Sequence, residues 1–269
     1  EINTQTLRRT KQDVAKDLPQ KLEDQGCRSL KMESLQRSLY VASINEYRER
    51  CQIQAQMEQR ENGMLTLLHR LKMLCAHPYG VQPDIRLKDR SPKMIWLLEQ
   101  LHKISTHGDK VIVFTELREV QREIQHSIEQ RFGFKPTVIN GDTSTNGQSA
   151  NSRQRLIDRF QEASGFSVII LSTVAVGFGV NVQAANHVIH FTRCWNPAKE
   201  DQATDRAYRI GQEKDVYVYY PTIRDAEMVT FESTLDDLLS KRRSLARDML
   251  HGSSDISASD FASMTRSAG

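Results

Sequence analysis

The sequence lacks the features by which several large classes of protein are recognised. It contains no Gly-x-x-x-x-Gly-Lys-Ser/Thr loop to cradle phosphates, and no Gly-x-Gly-x-x-Gly turn to open a dinucleotide-binding sheet. No Asp-Glu pair follows a predicted strand to hold magnesium, and no apolar run reaches the roughly 18 residues of a membrane span. These absences argue against a self-sufficient P-loop enzyme, a dinucleotide-dependent enzyme and an integral membrane protein.

Metal-binding and disulfide signals are also missing. No two of the four cysteines form a Cys-x-x-Cys pair, and their wide spacing suits neither a zinc site nor a disulfide framework. His187 and His190 stand three apart on a predicted strand and so point to opposite faces. We therefore expect no metal site and a reducing, cytoplasmic setting. The cysteines are Cys27, Cys51, Cys75 and Cys194.

Charge leaves the choice of partner open. The 269 residues include 37 Lys and Arg against 34 Asp and Glu, a formal net charge of +3. This small excess permits a nucleic-acid partner without demanding one, since dedicated binders are usually more basic. The chain begins without Met or a signal-peptide pattern, and we expect it to be part of a longer protein.

Short apolar segments alternate with amphipathic helical segments through the middle of the chain. This alternation predicts an α/β fold with a parallel sheet and helices on both faces. Gly63 and the polar run before it are expected to separate two helices within 30–76. The strands are predicted at 111–114, 137–139, 167–171, 187–191 and 216–220. The expected organisation is an irregular segment at 1–29, a protruding helical insertion at 30–83, an α/β core at 84–225, a long helix bracing the domain at 226–250 and a mobile tail at 251–269.

The most informative stretch runs from Gln202 to Gln212. On a helix predicted over 198–210, Gln202, Arg206 and Arg209 would share one face, with small and apolar side chains opposite. Two arginines pointing the same way suit a phosphate clamp, because guanidinium matches phosphate oxygens. The alternative is a solvated face on which Asp205 pairs with Arg209, and the residues alone leave both open.

A second stretch runs from Val168 to Asn181. A buried strand would deliver Ser172 and Thr173 at its carboxyl end, where ligands bind in open α/β sheets. Gly177 and Gly179 would let the backbone approach a ligand, although a plain tight turn is the alternative.

Three further positions follow predicted strands. Thr115 ends a buried strand, and Asn140-Gly141 begins a turn. Trp195 lies in a loop just after a strand, where an aromatic residue either fills the core or contacts a ligand.

Taken in order, these stretches resemble the carboxyl-terminal RecA-like lobe of Swi/Snf-like DNA-dependent ATPases of helicase superfamily two. The 84–225 core would be this second lobe, and 1–29 would lead into it from the first lobe. The similarity is most specific in motif VI, where the sequence reads Gln-Ala-x-Asp-Arg-Ala-x-Arg-Ile-Gly-Gln. The other matching stretches are Leu7–Val14, Leu18–Lys21, His77-Pro78, Ser91–Lys93, Val111–Glu116 (motif IV), Asn140–Asp142 with Arg153 and Phe160, and 168–189 (motif V).

The resemblance implies a half-site for ATP chemistry. The first lobe would hold ATP and Mg²⁺, and Arg206 and Arg209 would act as arginine fingers when the lobes close. By the same resemblance, this lobe alone is inactive, and the family's motor acts on double-stranded DNA. The implied nucleotide-facing residues are Gln202, Gly177 and Asp205, and those implied to face DNA are Thr115, Asn140, Gly141, Ser172, Thr173 and Trp195.

Two features set the chain apart within the family pattern. Val176 stands where motif V usually has the first of two adjacent glycines. The basic run Lys241–Arg243 in the last helix looks like bacterial members, several of which defend against phage, so subunits of a defence or remodelling system are possible partners. A degenerate lobe that only docks DNA or protein is the alternative, but the presence of both arginines disfavours it. An independent α/β enzyme is disfavoured because no nucleophile, base or metal set is evident.

Overall fold

Six parallel strands form one sheet in this computed structural model, which describes residues 19–53, 57–78, 91–144, 149, 152–173, 181–209, 211–248 and 256–262. The strands are β1 (Lys21–Asp24), β3 (Lys110–Phe114), β4 (Thr137–Ile139), β5 (Ser167–Leu171), β6 (His187–His190) and β7 (Val216–Tyr219), and a separate parallel pair joins β2 (Leu30–Lys31) to β8 (Ile223–Arg224). The order across the sheet is β1-β7-β6-β3-β5-β4. Phe114 is level with Leu171 and with His190, so the carboxyl ends of three neighbouring strands lie together.

Helices cover both faces of this sheet, as the alternating pattern predicts. The helices are α1 (Ser34–Ile53), α2 (Met57–Ala76), α3 (Pro92–Ser105), α4 (Arg118–Phe132), α5 (Arg153–Glu162), α6 (Pro197–Thr204) and α7 (Phe231–Asp248). Ile112 and Phe114 of β3 pack with residues of α5 and α6, whereas Val111 and Val113 pack with residues of α3 and α4. Strands buried on both faces need apolar residues throughout, which explains the uninterrupted apolar run of β3.

A second hydrophobic core lies outside the sheet. Tyr40 of α1, Leu71 of α2 and Leu235 of α7 are buried there together. Phe261, in the short 3₁₀ helix Ala258–Phe261, is also completely buried in this cluster. The helical region after β2 therefore packs directly on the C-terminal helix.

Three predictions of local structure were wrong. The end of the segment expected to be irregular forms β1, whose pairing with β7 gives its polar Lys-Leu-Glu-Asp sequence a place at the sheet edge. Gly63 lies inside α2 rather than between helices, and a Cβ there would stand 3.3 Å from the ring of Tyr47, so glycine permits close packing on α1. Residues 256–262 of the expected mobile tail are held by Phe261, whose ring centroid is 5.1 Å from that of Phe231.

Two helix ends follow from residues close by in the sequence. The third helix begins at Pro92 after Ser91, and α4 ends before Gly133, whose φ of 75° favours glycine. The predicted strands at 187–191 and 216–220 each end one residue earlier in the structure. No helix among the described residues is long and apolar enough to cross a membrane.

Candidate functional site

The carboxyl edge of the sheet brings together residues that the sequence places on three different strands. Beyond the strand ends, the amide of Thr115 donates to the carbonyl of Leu171 at 3.0 Å. The amide of Ser172 likewise donates to Ile139, also at 3.0 Å. Thr115, Ser172 and Asn140 therefore lie side by side, and we call this region the carboxyl edge (residues 115, 140–142, 172 and 173).

Thr115 is enclosed beneath this edge rather than exposed on it. Its side chain is buried, its hydroxyl accepts a hydrogen bond from Thr192 at 3.0 Å, and its carbonyl accepts one from Gln121 at 2.7 Å. Gln121 in turn accepts from the amide nitrogen of Asn140 at 3.0 Å. Gln121 thus links Thr115 to Asn140, a role that the sequence analysis missed. Its signal was a polar residue at an apolar stripe position, four residues after Leu117 and three before Ile124.

The turn after β4 projects to solvent and is held by hydrogen bonds of Asn140 and Arg153. The side-chain oxygen of Asn140 accepts from the amide of Asp142 at 3.0 Å, an arrangement typical of an Asx turn. Arg153 donates to the carbonyl of Asn140 at 3.3 Å and to that of Thr143 at 3.2 Å. Gly141 is exposed, and a Cβ there would meet nothing within 4 Å. The turn therefore offers an ordered, accessible backbone at the carboxyl edge.

Thr173 and Ser172 differ in accessibility. Ser172 is buried, whereas Thr173 is half-buried and donates its hydroxyl to Glu116. Glu116 also lies 3.5 Å from the ammonium group of Lys72 on α2, so a neighbouring cation balances its charge. Gly177 and Gly179, predicted in the next loop, lie outside the described residues.

Trp195 packs against aromatic side chains of the second core. Its ring centroid lies 5.4 Å from that of Phe261 and 6.1 Å from that of Phe231, and the residue is half-buried. This geometry favours the core-filling interpretation of Trp195, while its predicted contact with DNA stays a prediction.

The helix that carries motif VI is shorter than predicted. It begins at Pro197, where the Asn196 side chain accepts from the amide of Lys199 at 3.1 Å, and it ends at Thr204 rather than at residue 210. Arg206 and Arg209 therefore do not share a continuous helical face with Gln202. The amide of Arg206 donates to Ala203 at 3.2 Å, three residues back, so the chain tightens into turns. We call residues 205–209 the arginine loop.

The arginine loop exposes one of its two arginines and half-buries the other, while the small side chains are buried. Arg209 and Gln202 are exposed, whereas Ala203 and Ala207 are buried as the sequence predicts. Arg206 is half-buried, and its Nε atom is enclosed without a hydrogen-bond partner among the described residues. The exposed Arg209, together with the half-buried Arg206 three residues before it, makes this loop suitable for an anion with several oxygens.

Asp205 begins the arginine loop as the C-cap of α6. It is half-buried, and its amide donates to the carbonyl of Asp201 at 2.9 Å. Its place on the nucleotide-facing surface stays a prediction, and so does the alternative pairing with Arg209.

Gln212 fixes the other end of the arginine loop. Its buried amide nitrogen lies 2.9 Å from the carbonyl of Gln183, 3.0 Å from that of Ala185 and 3.2 Å from that of Ala207. The preceding Gly211 has φ of 98°, a conformation that favours glycine. In the sequence Gln212 is simply the last residue of motif VI, whereas in the structure its side chain supports the arginine loop.

A buried ion pair between Glu200 of α6 and Arg193 fixes the position of α6. Burial alone would raise the pKa of the Glu200 carboxyl, but the adjacent guanidinium of Arg193 outweighs it and holds that pKa well below its usual range. Burial would likewise lower the pKa of Arg193, but Glu200 raises it. Both side chains are therefore charged inside the protein. Among the described residues, no group of three His, Cys, Asp or Glu could hold a metal ion.

Two family models match the chain. The helicase conserved C-terminal domain matches residues 93–211, and the SNF2-related domain matches residues 1–80. The Escherichia coli Zorya protein ZorD is 62% identical over 268 residues, or 99% of this chain and 25% of that protein. A putative ATP-dependent helicase/translocase of Bacillus subtilis, YwqA, is 37% identical over 244 residues, or 89% of this chain and 25% of that protein. The chain thus spans about a quarter of the length of these curated bacterial relatives.

Solved structures agree with these matches. A Sulfolobus solfataricus SWI2/SNF2 ATPase core in complex with dsDNA superposes with a TM-score of 0.68 and 32% identity, covering 90% of this chain and 49% of that chain. The isolated C-terminal domain of a Sulfolobus solfataricus SWI2/SNF2 ATPase gives a TM-score of 0.65 and 27% identity, covering 86% of this chain and 90% of that domain. The chain belongs to the Swi/Snf-like family of helicase superfamily two, in which it forms the carboxyl-terminal RecA-like lobe.

Proposed function

We propose that this chain is the second motor lobe of a double-stranded-DNA-dependent ATPase and translocase. In this function the arginine loop faces ATP held mainly by the first lobe, and the carboxyl edge faces the DNA backbone. The main support for the ATP-facing role comes from the arginine loop. There Arg209 is exposed, and the Nε of Arg206 has no hydrogen-bond partner among the described residues. The relative YwqA, described as a putative helicase/translocase, supports the same activity.

The charge of the arginine loop suits the terminal phosphate of ATP. Guanidinium groups stay charged at any physiological pH and can each donate two parallel hydrogen bonds to phosphate oxygens. Arg206 and Arg209 would stabilise the negative charge that develops during phosphoryl transfer, an effect that can be worth about 10³–10⁵ in rate. Gln202, Asp205 and Gly177 would form the neighbouring nucleotide-facing surface.

Mg²⁺ would neutralise phosphate charge when ATP is bound. The described residues offer no ligand cluster for it, so its ligands would come from the first lobe. The sequence also has no phosphate-binding loop of its own. We therefore expect this lobe by itself to hydrolyse ATP weakly or not at all.

The carboxyl edge suits the sugar-phosphate backbone of DNA. The exposed Asn140-Gly141 turn and the half-buried Thr173 would make the direct contacts. Thr115 and Ser172 are buried, so they would support this surface through their neighbours. Contacts of this kind position a motor on duplex DNA without reading its sequence. The solved SWI2/SNF2 core in complex with dsDNA supports this choice of partner.

Comparing two forms of the protein tests this function. The full-length protein and the isolated lobe are each assayed for Mg²⁺-dependent ATP turnover, with and without duplex DNA. We expect turnover that rises with DNA for the full-length protein and negligible turnover for the lobe. Robust hydrolysis by the lobe would refute the half-site, and a full-length protein inert with every DNA tested would favour a docking module.

A role in bacterial defence against phage is the biological setting that we propose, together with partner subunits of a defence system. The resemblance of the sequence to defence proteins suggests it, and 62% identity with the Zorya protein ZorD supports it. The test is the plating efficiency of phages on bacteria that carry the complete system, with wild-type protein or with Arg206→Ala. Equal plating efficiency on the two strains would show that ATP hydrolysis by this protein is not needed for defence.

A further inference from the structure

The side chain of Arg243 on the C-terminal helix α7 reaches α6, the helix that leads into the arginine loop. The Nε of Arg243 donates to Oδ1 of Asp201 at 2.9 Å, and a terminal nitrogen of the same guanidinium donates to Oε2 of Glu200 at 2.5 Å. The Arg243 side chain is only 14% exposed. One arginine of α7 therefore holds two consecutive carboxylates of α6.

These two carboxylates lie on α6, about one helical turn before the arginine loop. Glu200 and Asp201 precede Gln202, and the carbonyl of Asp201 accepts the amide of Asp205 at 2.9 Å. Any shift of Asp201 therefore moves the first residue of the loop that carries Arg206. The path from Arg243 to Arg206 consists of one ion pair, one backbone hydrogen bond and one peptide bond.

Helix α7 is itself a fixed support. Leu235 and Leu239 are buried in the second core with residues of α1 and α2, and Glu232 pairs with the buried Lys93 of α3. Asp236 pairs with Arg193, which also holds Glu200. Because α7 is anchored along its first half, Arg243 on its second half projects from a rigid base.

We propose that Arg243 is a positioning residue for ATP hydrolysis, which holds the arginine loop in register through Glu200 and Asp201. The inference rests on the function proposed above. It assigns a role in the chemistry to a residue beyond the matched helicase domain, which ends at residue 211. Arg243 itself does not contact nucleotide; it fixes the helix from which the arginine loop emerges.

The test uses the full-length protein with the substitution Arg243→Met, which keeps the length of the stem and removes the charge. We expect kcat for DNA-stimulated ATP hydrolysis to fall about ten- to hundredfold, because small displacements of reacting groups have effects of this size. The KM for ATP and the affinity for duplex DNA should change less than twofold. Arg243→Lys should recover part of kcat, because an ammonium group can still pair with one of the two carboxylates.

Arg242→Met is the matched control. Arg242 is the neighbouring residue of α7, but it pairs with Asp260 at 3.1 Å, in the segment 256–262, rather than with α6. We expect kcat of this variant to stay within twofold of wild type. All assays are run well below the melting temperature of each variant, so that a loss of folded protein is not read as a loss of kcat.

Arg206→Ala is measured in parallel, so that a failure of the inference about Arg243 can be told from a failure of the proposed half-site. If Arg206→Ala abolishes turnover while Arg243→Met leaves kcat unchanged, or lowers it no more than Arg242→Met does, Arg243 is only structural and the inference is overturned. If Arg206→Ala also leaves turnover unchanged, the proposed half-site is wrong and the inference falls with it.

Discussion

Arg193 and Glu200 form a two-point ion pair inside the protein. The Nε of Arg193 lies 2.7 Å from Oε1 of Glu200, and a terminal nitrogen lies 2.9 Å from Oε2. The side chains are 1% and 0% exposed, and the Arg193 guanidinium lies 4.2 Å from the ring centroid of Tyr220. The pair joins the loop after β6 to the helix before the arginine loop, so it fixes the local frame of the candidate site.

Breaking this pair should be strongly destabilising. Glu200→Gln would leave the charges of Arg193 and Arg243 without their shared partner, and removing one member of a buried pair typically costs about 3–5 kcal/mol. The free energy of unfolding in urea measures the loss. Glu227→Gln is the control, because Glu227 pairs with Arg37 while 77% exposed, and surface pairs contribute about 0–1 kcal/mol. Equal losses for the two variants would contradict the buried-pair account.

His190 should make the protein sensitive to mild acid. Burial between Phe114 and Tyr220 lowers the pKa of His190 from its ordinary 6.5 to about 3. Because the folded-state pKa is depressed, the stabilisation is fully present above pH 6.5 and is lost as pH falls below it. The contribution of this residue approaches a slope of about 1.4 kcal/mol per pH unit.

The variant His190→Phe tests this origin of the acid sensitivity. Phenylalanine keeps the ring stacking and removes the titration, so the free energy of unfolding should fall less between pH 7.5 and pH 5 than in wild type. His126→Gln, at an exposed position on α4, should keep the wild-type slope. An unchanged slope in His190→Phe would show that other groups cause the acid sensitivity.

The sequence allowed the sheet to be predicted because its interior strands carry their own signal. The apolar run of β3, Pro92 at the start of α3 and Gly133 after α4 specify local structure without knowledge of distant residues. β1 carries no such signal, because Lys21–Asp24 is a polar segment whose place depends on pairing with β7, some 195 residues away in sequence. Edge strands of this kind are set by long-range pairing rather than by local pattern.

The candidate site was predicted only in part, because its supporting contacts also join residues that are far apart in sequence. The motifs located the arginine loop and the carboxyl edge, but the sequence alone did not locate their supports. Gln121 and Gln212 act through hydrogen bonds to carbonyls far away in sequence, and no local pattern reports such bonds. The early end of α6 at Thr204 likewise depends on the tertiary contacts of the arginine loop rather than on a local helix-breaking residue. The cytoplasmic setting expected from the cysteines stays a prediction.

Gln212→Glu should disturb the arginine loop without touching its charges. A carboxylate oxygen would face the carbonyls of Gln183, Ala185 and Ala207 in place of a donor, and such unsatisfied buried groups cost about 1–3 kcal/mol. We expect lower unfolding stability and lower ATP turnover in the full-length protein. Glu213→Gln, at the exposed neighbouring position, should change neither. Normal turnover by Gln212→Glu would mean that this amide does not support the loop.

Trp195→Ala should weaken the second core. Loss of the ring that packs on Phe231 and Phe261 should cost about 3 kcal/mol, the lower end for large aromatic truncations, since Trp195 is only half-buried. Trp195→Phe should restore most of the stability. If Trp195 only fills the core, the folded Trp195→Phe protein binds duplex DNA as wild type does. A large fall in DNA affinity with unchanged stability would instead make Trp195 a DNA contact.

The central claim is that Arg206 and Arg209 complete an ATP site formed mainly by another lobe. The most direct measurement is DNA-stimulated ATP turnover by the full-length protein, comparing wild type with Arg206→Ala, Arg209→Ala and the control Arg155→Ala, an exposed arginine of α5. We predict that each of the first two substitutions lowers kcat by about 10³-fold or more, while DNA affinity and the turnover of Arg155→Ala stay at the wild-type level. Unchanged turnover in Arg206→Ala and Arg209→Ala would contradict the account, and the lobe would then be a docking module whose arginines lie on a solvated face.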